Sequence, residues 1–165
     1  MIVVADTSPL NYLIVTGYDH LLPELFGVIL VPPAVFEELS DPNAPEPVRG
    51  WIGRLPEWIH IHAAVGVVPP IENLGQGEIE GIALAEALKA DLVLIDDADA
   101  REEAEKRNLK VTGTLGVLRL AALQRIVDLP EAIAKLLATN FFVSPRLVAD
   151  LLSEMTHRTG TESTE

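Results

Sequence analysis

Short, uninterrupted apolar segments alternate with longer segments of helical periodicity along the chain, and this alternation limits the fold more than any other feature. Three of the apolar segments, residues 2–5, 28–31 and 92–95, have no polar face. Strands of this kind lie in parallel sheets that are covered on both faces. Strands separated by helices are joined by right-handed crossovers. The sequence therefore predicts an α/β fold in three layers, α/β/α, around a central, mostly parallel sheet of four to five strands.

Two shorter segments complete the predicted sheet, residues 110–112 as a fourth strand and residues 58–62 as an additional one. Apolar residues at helical spacing, behind Pro, Ser or Gly, predict the helices. One is opened by Ser8 and Pro9, one by Pro32 and Pro33, and the others cover residues 48–55, 78–88, 98–107, 114–126, 130–138 and 145–155. Because no linker divides the chain, residues 1–156 are predicted to form a single domain. The polar residues 157–165 are predicted to be a disordered tail.

The composition predicts a cytoplasmic protein without a membrane span. The sequence has no cysteine, no basic segment ahead of its first apolar one, and no stretch near the roughly 20 apolar residues of a transmembrane helix. Its formal net charge of -13 argues against binding nucleic acid by electrostatics alone. However, residues 1–48 contain seven acidic residues and no Lys or Arg, whereas residues 101–146 contain eight of the twelve basic residues. An acidic face beside a basic flank is compatible with a polyanion bound through metal ions.

Acidic residues at separate places in the chain are candidates for one metal site. Asp6 ends the first predicted strand, and Asp96 and Asp97 follow the third. Ligands of open α/β sheets bind at these carboxyl ends. Glu38, late in one helix, and Glu78, at the start of another, are able to approach the same crevice. Crowded carboxylates raise one another's pKa unless a cation compensates, and Mg²⁺ or Mn²⁺ held by carboxylates suits phosphodiester hydrolysis.

Other roles remain open for the same residues. Asp6, and one of Asp96 and Asp97, could cap the helices that follow them. Glu78 and Glu80 both lie in a first helical turn, where acidic residues complement the helix dipole.

Residues near these acids also have alternative roles. Glu37 and Glu38 both fit an exposed helix surface. Arg101 is a candidate phosphate contact or an i, i+4 partner of Glu105. The segment 112–114 is a candidate phosphate-binding turn at a helix start, although a purely structural turn is favoured.

Several segments resemble the PIN domain, and within it a bacterial and archaeal branch of predicted nucleic-acid-binding proteins related to toxin ribonucleases of toxin–antitoxin pairs. Together they run nearly from end to end of the chain, in the family's order and spacing. They are VVADTSPLNYL at 3–13, VPPAVFEEL at 31–39, LGQGEIEGIALA at 74–85, LVLIDDADAR at 92–101, VTGTLGVLRLA at 111–121 and FFVSPRLVADLL at 141–152.

The resemblance implies an endoribonuclease that cleaves single-stranded RNA with Mg²⁺ or Mn²⁺, DNA being the alternative substrate. The implied metal ligands are Asp6, Glu38, Glu78 and Asp97, with Asp96 assisting or replacing Asp97. Glu37 is the rival of Glu38, and Glu80 that of Glu78.

The resemblance also implies supporting residues and partners. Ser8, with Thr7 as the second choice, is expected to hydrogen-bond a carboxylate or a metal-bound water. The candidate substrate contact of Arg101 rests instead on its position one helical turn after Asp97. A homodimer and an inhibitory antitoxin protein are the expected partners. Many relatives have Asp where this chain has Glu78, which keeps open a non-catalytic module that binds nucleic acid or protein. A phosphatase with an aspartyl nucleophile is the last choice, because Ser8 stands where that chemistry needs a second acid.

Overall fold

The computed structural model describes residues 1–66 and 68–162. Within these ranges the strands are β1 (Val3–Ala5), β2 (Ile29–Val31), β3 (Ile59–Ile61), β4 (Leu92–Leu94) and β5 (Val111–Thr112). The helices are α1 (Thr7–Thr16), α2 (Leu21–Phe26), α3 (Pro33–Leu39), α4 (Glu46–Gly53), α5 (Gln76–Leu88), α6 (Ala98–Lys106), α7 (Thr114–Leu123), α8 (Leu129–Leu137) and α9 (Pro145–Glu162). The chain divides into two compact units, Met1–Thr114 and Leu115–Glu165, and every candidate site residue lies in the first.

The strand pairings in the described part of the chain are all parallel, in the order β3-β2-β1-β4-β5. Strand β1 is central, since Val4 pairs with Leu30 of β2 on one side and with Val93 of β4 on the other. All three residues of β1 are fully buried, as a strand covered on both faces requires. The predicted α/β fold with a parallel sheet is confirmed.

Helix α5 is held against this sheet by its apolar residues. Ile82 and Leu84 are fully buried and share one core cluster with Val4 of β1 and Val93 of β4. Burial of each such side chain stabilises the fold by about 1.5–3 kcal/mol. Because Glu78 lies in the first turn of the same helix, this packing also positions the backbone that carries its carboxylate.

Two details of the first half of the chain differ from the prediction. Helix α1 begins at Thr7 with Asp6 as its N-cap, rather than at Pro9 with Ser8 as its N-cap, because the backbone turns helical directly after the extended Asp6. Helix α2 was not predicted, since six residues that include Pro23 give little periodicity. It ends at Phe26, and its C-cap residue Gly27 has a φ of 76°, in a region of backbone conformation that favours glycine.

The last helix is longer than predicted. Helix α9 reaches Glu162, so residues 157–162 of the expected disordered tail are helical, and residues 163–165 lie outside the described residues. An i, i+4 ion pair between Arg158 and Glu154 accounts for part of this extension, because such pairs stabilise helices. Across residues 1–66 and 68–162, the helices lack the combination of length and hydropathy that crossing a bilayer requires.

Candidate functional site

The carboxyl ends of β1 and β4 bring the predicted acidic residues together. Asp6 directly follows β1, and its backbone N–H donates to the carbonyl of Leu94, the last residue of β4 (2.9 Å). Asp96 and Asp97 follow β4, while Glu38 comes from the end of α3 and Glu78 from the start of α5. The five carboxylates are close enough for Glu38, Asp96 and Asp97 to perturb Asp6 electrostatically, and for Asp6, Asp97 and Glu38 to perturb Glu78.

Asp6 is the most deeply buried of these acids. Only 5% of its surface is exposed, and its Oδ1 has no hydrogen-bond partner among the described residues. Although Asp6 occupies the N-cap position of α1, its side chain makes no capping hydrogen bond. Burial raises its pKa to about 7, the backbone N–H of Thr7 opposes this rise, and the charge of Glu38 adds to it. Helix capping therefore does not explain why a buried aspartate stands at this position.

Glu78 has the same unusual environment. Its Oε2 is buried and has no hydrogen-bond partner in the described part of the chain. Burial raises its pKa to about 7, and the charges of Asp6, Asp97, Glu38 and Asp99 raise it further. A buried oxygen without a partner costs about 1–3 kcal/mol, so two of them in one group of acids need an explanation.

Glu38 is held by hydrogen bonds at the rim of the group. Its Oε2 accepts from the hydroxyl of Thr7, and its Oε1 accepts from the backbone N–H of Gly77 (3.2 Å). Glu38 and its neighbour Glu37 are both exposed, but the hydrogen bonds with Thr7 and Gly77 are made by Glu38. The structure thus turns Glu38, and not Glu37, toward the other acids.

Glu80 has a different task from Glu78. Its carboxylate accepts from the backbone N–H of Ala34 at 3.3 Å and from the side-chain amide of Gln76 at 2.8 Å. It therefore ties the start of α3 to α5 and does not point into the acidic group.

Asp96 and Asp97 are held in different ways. Asp96 accepts three hydrogen bonds: from Thr114 N (2.7 Å) at Oδ1, and from Ser8 Oγ (2.9 Å) and Thr114 Oγ1 (2.7 Å) at Oδ2. Asp97 caps α6 through a single bond from Ala100 N to Oδ2 (3.0 Å). Its Oδ1 accepts no hydrogen bond from the described residues. Asp97 therefore has an oxygen to spare, whereas both oxygens of Asp96 are occupied.

The turn at residues 112–114 serves Asp96. The backbone N–H of Thr114, the first residue of α7, donates to the carboxylate of Asp96. This N–H is therefore not available to a phosphate group. This agrees with the structural role favoured for the turn over phosphate binding.

Gly113 is needed to bring Asp96 this close. A Cβ at position 113 would lie 2.5 Å from Asp96 Oδ1 and 3.3 Å from the carbonyl oxygen of Ile95. We expect Gly113→Ala to lower the free energy of unfolding by about 1–3 kcal/mol, because the carboxylate must leave its three donors. Urea denaturation measures this. Gly50→Ala is the control, since a Cβ there meets nothing within 4 Å, and equal stability of the two variants would contradict the expectation.

Arg101 of α6 lies close to the turn that holds Asp96. Its Nη1 is 3.6 Å from the Cβ position of Gly113, and α6 begins next to Asp97. Within residues 1–66 and 68–162 its guanidinium forms no hydrogen bond or ion pair, so the alternative of an i, i+4 pair with Glu105 is not realised, unlike the pairs of Lys106 and Arg107 at the end of the same helix. The guanidinium of Arg101 is thus available to contact an anionic ligand beside Gly113.

Several residues around the acids were not singled out from the sequence for these contacts. Gly77, Gly113 and Thr114 position carboxylates, and Asp99 adds charge beside Glu78. The only signal for them was their place next to predicted acids or turns.

The donor set fits a hard divalent cation. Carboxylate oxygens are the ligands that Mg²⁺ and Mn²⁺ prefer, and the unpartnered oxygens of Asp6 and Glu78 are such donors. In their present rotamers, no three acidic or His side chains of the described residues converge on one ion position. Glu38 and Asp97 point toward hydrogen-bond donors of the protein, so joint coordination requires rotation of these side chains.

Comparison with known proteins gives two similarities. A family model described as a PIN domain matches residues 2–157. The structure is similar to that of a PilT N-terminus domain protein from the hyperthermophilic archaeon Sulfolobus solfataricus P2, with a TM-score of 0.50 and 16% sequence identity over 87% of this chain and 100% of that one. At this identity the similarity shows the fold alone. No curated protein is similar enough in sequence to count as a match.

Proposed function

We propose that this chain, which belongs to the PIN-domain family, is a metal-dependent nuclease that hydrolyses the phosphodiester bonds of single-stranded RNA. The family supports nuclease chemistry in general. The observation that carries the proposal for this chain is the pair of buried, unpartnered carboxylate oxygens on Asp6 and Glu78. A divalent cation is the natural compensation for such a pair, because it offsets both the burial and the mutual repulsion of the charges.

The acidic residues have separate roles in this proposal. The oxygens that would bind the cation belong to Asp6, Glu78 and Asp97, because each of these residues has a carboxylate oxygen without a hydrogen bond. Glu38, at the edge of the group, would be the fourth ligand. When bound, Mg²⁺ or Mn²⁺ neutralises charge on the phosphodiester and makes a water nucleophilic at neutral pH. Arg101 binds a phosphate oxygen of the substrate. In-line attack by water needs no nucleophilic side chain.

The remaining polar residues hold the site together. Ser8 donates its hydroxyl proton to Asp96 and is therefore a support rather than a nucleophile. The same observation counts against an aspartyl-nucleophile phosphatase, because the residue two positions after Asp6 is engaged in this bond and is not an acid.

Asp96 and Asp97 are expected to respond differently to substitution. Asp97→Asn keeps a good N-cap residue, so stability should change by less than about 1 kcal/mol while Mn²⁺ affinity falls at least about tenfold. Asp96→Asn places an amide among three donors, so it should cost about 1–2 kcal/mol of stability and change Mn²⁺ affinity less. Urea denaturation and calorimetric Mn²⁺ titration of both variants measure these effects. The opposite ranking in affinity would make Asp96 the ligand.

The finer features of the proposal rest on the resemblance to toxin ribonucleases. They are RNA rather than DNA as substrate, assembly as a homodimer, and inhibition by an antitoxin protein, whereas action in the cytoplasm rests on the composition. A protein with a net charge of -13 has little electrostatic attraction for an anionic nucleic acid. Substrate binding is therefore proposed to depend on the metal ion and on Arg101.

Cleavage of labelled single-stranded RNA, beside DNA of the same sequence, tests the proposal. The protein is incubated in EDTA, in Mg²⁺ and in Mn²⁺, with Asp6→Asn purified identically. Metal-dependent cleavage that disappears in the variant is the expected result. Cleavage that survives Asp6→Asn would identify a contaminant or another site.

A non-catalytic binding module is the second candidate. It is favoured by Glu78 at a position where many relatives have Asp, and by the low basic content of the chain. Mn²⁺ titration separates the two, because a degraded site binds Mn²⁺ poorly. Absence of both cleavage and Mn²⁺ binding would favour the module.

A further inference from the structure

Gly77 makes an unusually close approach to one of the acids. It is buried in the first turn of α5, directly before Glu78, and its N–H donates to Glu38 Oε1 at 3.2 Å. A Cβ at this position would lie 2.8 Å from Glu38 Oε1, 3.0 Å from Oε2 and 3.1 Å from Cδ. The carboxylate of Glu38 therefore occupies the place that any side chain at position 77 would take.

The same helix contains a glycine without this constraint. Gly81 lies one turn further along α5, is also buried, and its Cβ position meets nothing within 4 Å. Glycine inside a helix is less stable than alanine, and the backbone φ of neither residue is positive. The conformation of α5 thus requires glycine at neither place, and only contact with Glu38 distinguishes Gly77.

Glu38 is held from two sides by residues adjacent to the buried acids. Thr7 follows Asp6 in the chain and donates its hydroxyl to Glu38, while Gly77 precedes Glu78 and donates its N–H. These two contacts place the exposed Glu38 carboxylate between the segments that carry the two unpartnered oxygens.

We propose that Gly77 is a positioning residue, whose missing side chain lets Glu38 lie beside Asp6 and Glu78 and so sets the affinity of the site for a divalent cation. This inference rests on the proposed metal-dependent function. Glu38 is long and exposed, so a methyl group at position 77 can be accommodated by turning the carboxylate away. The fold then survives while the acids lose their arrangement.

Matched variants of α5 test this role. Wild type, Gly77→Ala and Gly81→Ala are titrated with Mn²⁺ by calorimetry at pH 8, and each melting temperature is measured in EDTA. We expect Mn²⁺ affinity to fall at least about tenfold in Gly77→Ala and to stay unchanged in Gly81→Ala. Both variants should melt at or above the wild-type temperature in EDTA, because alanine favours the helix.

A shorter acid at position 38 provides the rescue. Glu38→Asp alone should weaken Mn²⁺ binding, whereas in the Gly77→Ala background it removes the collision. The fold loss of Mn²⁺ affinity in the double variant should therefore be smaller than the product of the fold losses in the two single variants. A purely structural role of Gly77 does not produce this non-additivity.

The outcomes separate this inference from the proposed function. If wild type binds Mn²⁺ and Gly77→Ala binds it equally well, the positioning role is wrong and the nuclease proposal stands. If wild type binds no Mn²⁺, both are wrong. If Gly77→Ala does not fold, recovery of folding by Glu38→Asp supports the contact, and failure to recover overturns it.

Discussion

Asp6→Asn is expected to reduce metal-dependent RNA cleavage at least about a thousandfold. Asp6 is the most buried acid of the group, and one of its oxygens has no protein partner. Asparagine keeps the size and shape of the side chain but removes the charge that holds a cation. Single-turnover cleavage with saturating Mn²⁺ measures the loss, and a variant within tenfold of wild type would remove Asp6 from the site.

The same variant is expected to be more stable than wild type when metal is absent. Asparagine removes a buried charge that is repelled by Glu38, Asp96 and Asp97. We expect the free energy of unfolding at pH 8 in EDTA to rise by about 1–3 kcal/mol. Loss of activity with gain of stability indicates a residue kept for function. Lower stability of Asp6→Asn would instead indicate a structural role.

Glu37→Gln is a suitable control for both measurements. Glu37 is exposed and sits beside Glu38 on α3, outside the contacts that hold the acidic group. The variant changes the net charge of the protein by the same amount as Asp6→Asn. Its cleavage rate and stability should remain close to those of wild type, because surface substitutions seldom change stability by more than about 0.5 kcal/mol.

Stabilisation by Mn²⁺ is expected to depend strongly on pH. Burial raises the pKa values of Asp6 and Glu78 to about 7 in the folded protein, from ordinary values of 3.8 and 4.5. Protonation of these two groups thus favours the folded state. Their contribution to stability is fully present below about pH 4 and is lost as the pH rises through about 7. The metal-free protein should become less stable between pH 5 and pH 8.

Mn²⁺ should reverse this loss, because it binds the ionised carboxylates that protons otherwise occupy. At a concentration about 100 times its Kd, Mn²⁺ adds about 2.7 kcal/mol, which corresponds to roughly 5–10 °C in melting temperature for a protein of this size. We expect this shift at pH 8 and little of it at pH 5.5, as measured by calorimetric melting. The double variant Asp6→Asn/Glu78→Gln should show neither the pH dependence nor the Mn²⁺ effect. An equal Mn²⁺ shift at both pH values would contradict the assignment of these two groups.

The order of elements followed from the sequence because burial on both faces leaves a local pattern. Strands such as β1 and β4 contain only apolar residues, and chain order alone places Asp6 and Asp96 at their carboxyl ends. Helix α2 was not predicted because six residues are too few to show a helical period. The length of α9 was underestimated because its last turns have a polar composition.

The division of labour among the acids depended on contacts that the sequence does not contain. Glu38 meets Thr7 and Gly77 across 31 and 39 residues, and Asp96 meets Thr114 across 18. Asp96 and Asp97 are neighbours with the same side chain, and they differ only in the hydrogen-bond donors around them.

The sequence by itself thus determined the α/β fold and placed Asp6 and Asp96 at the carboxyl ends of their strands, because these depend on local hydrophobic patterns and chain order. Glu38 and Glu78 were assigned to the same group only through the family resemblance. Only the tertiary structure decided which carboxylates are saturated, which are buried without partners, and which glycines make room for them. These properties depend on hydrogen bonds, such as those of 3.2 Å from Gly77 to Glu38 and 2.7 Å from Thr114 to Asp96, between groups that are remote in the chain.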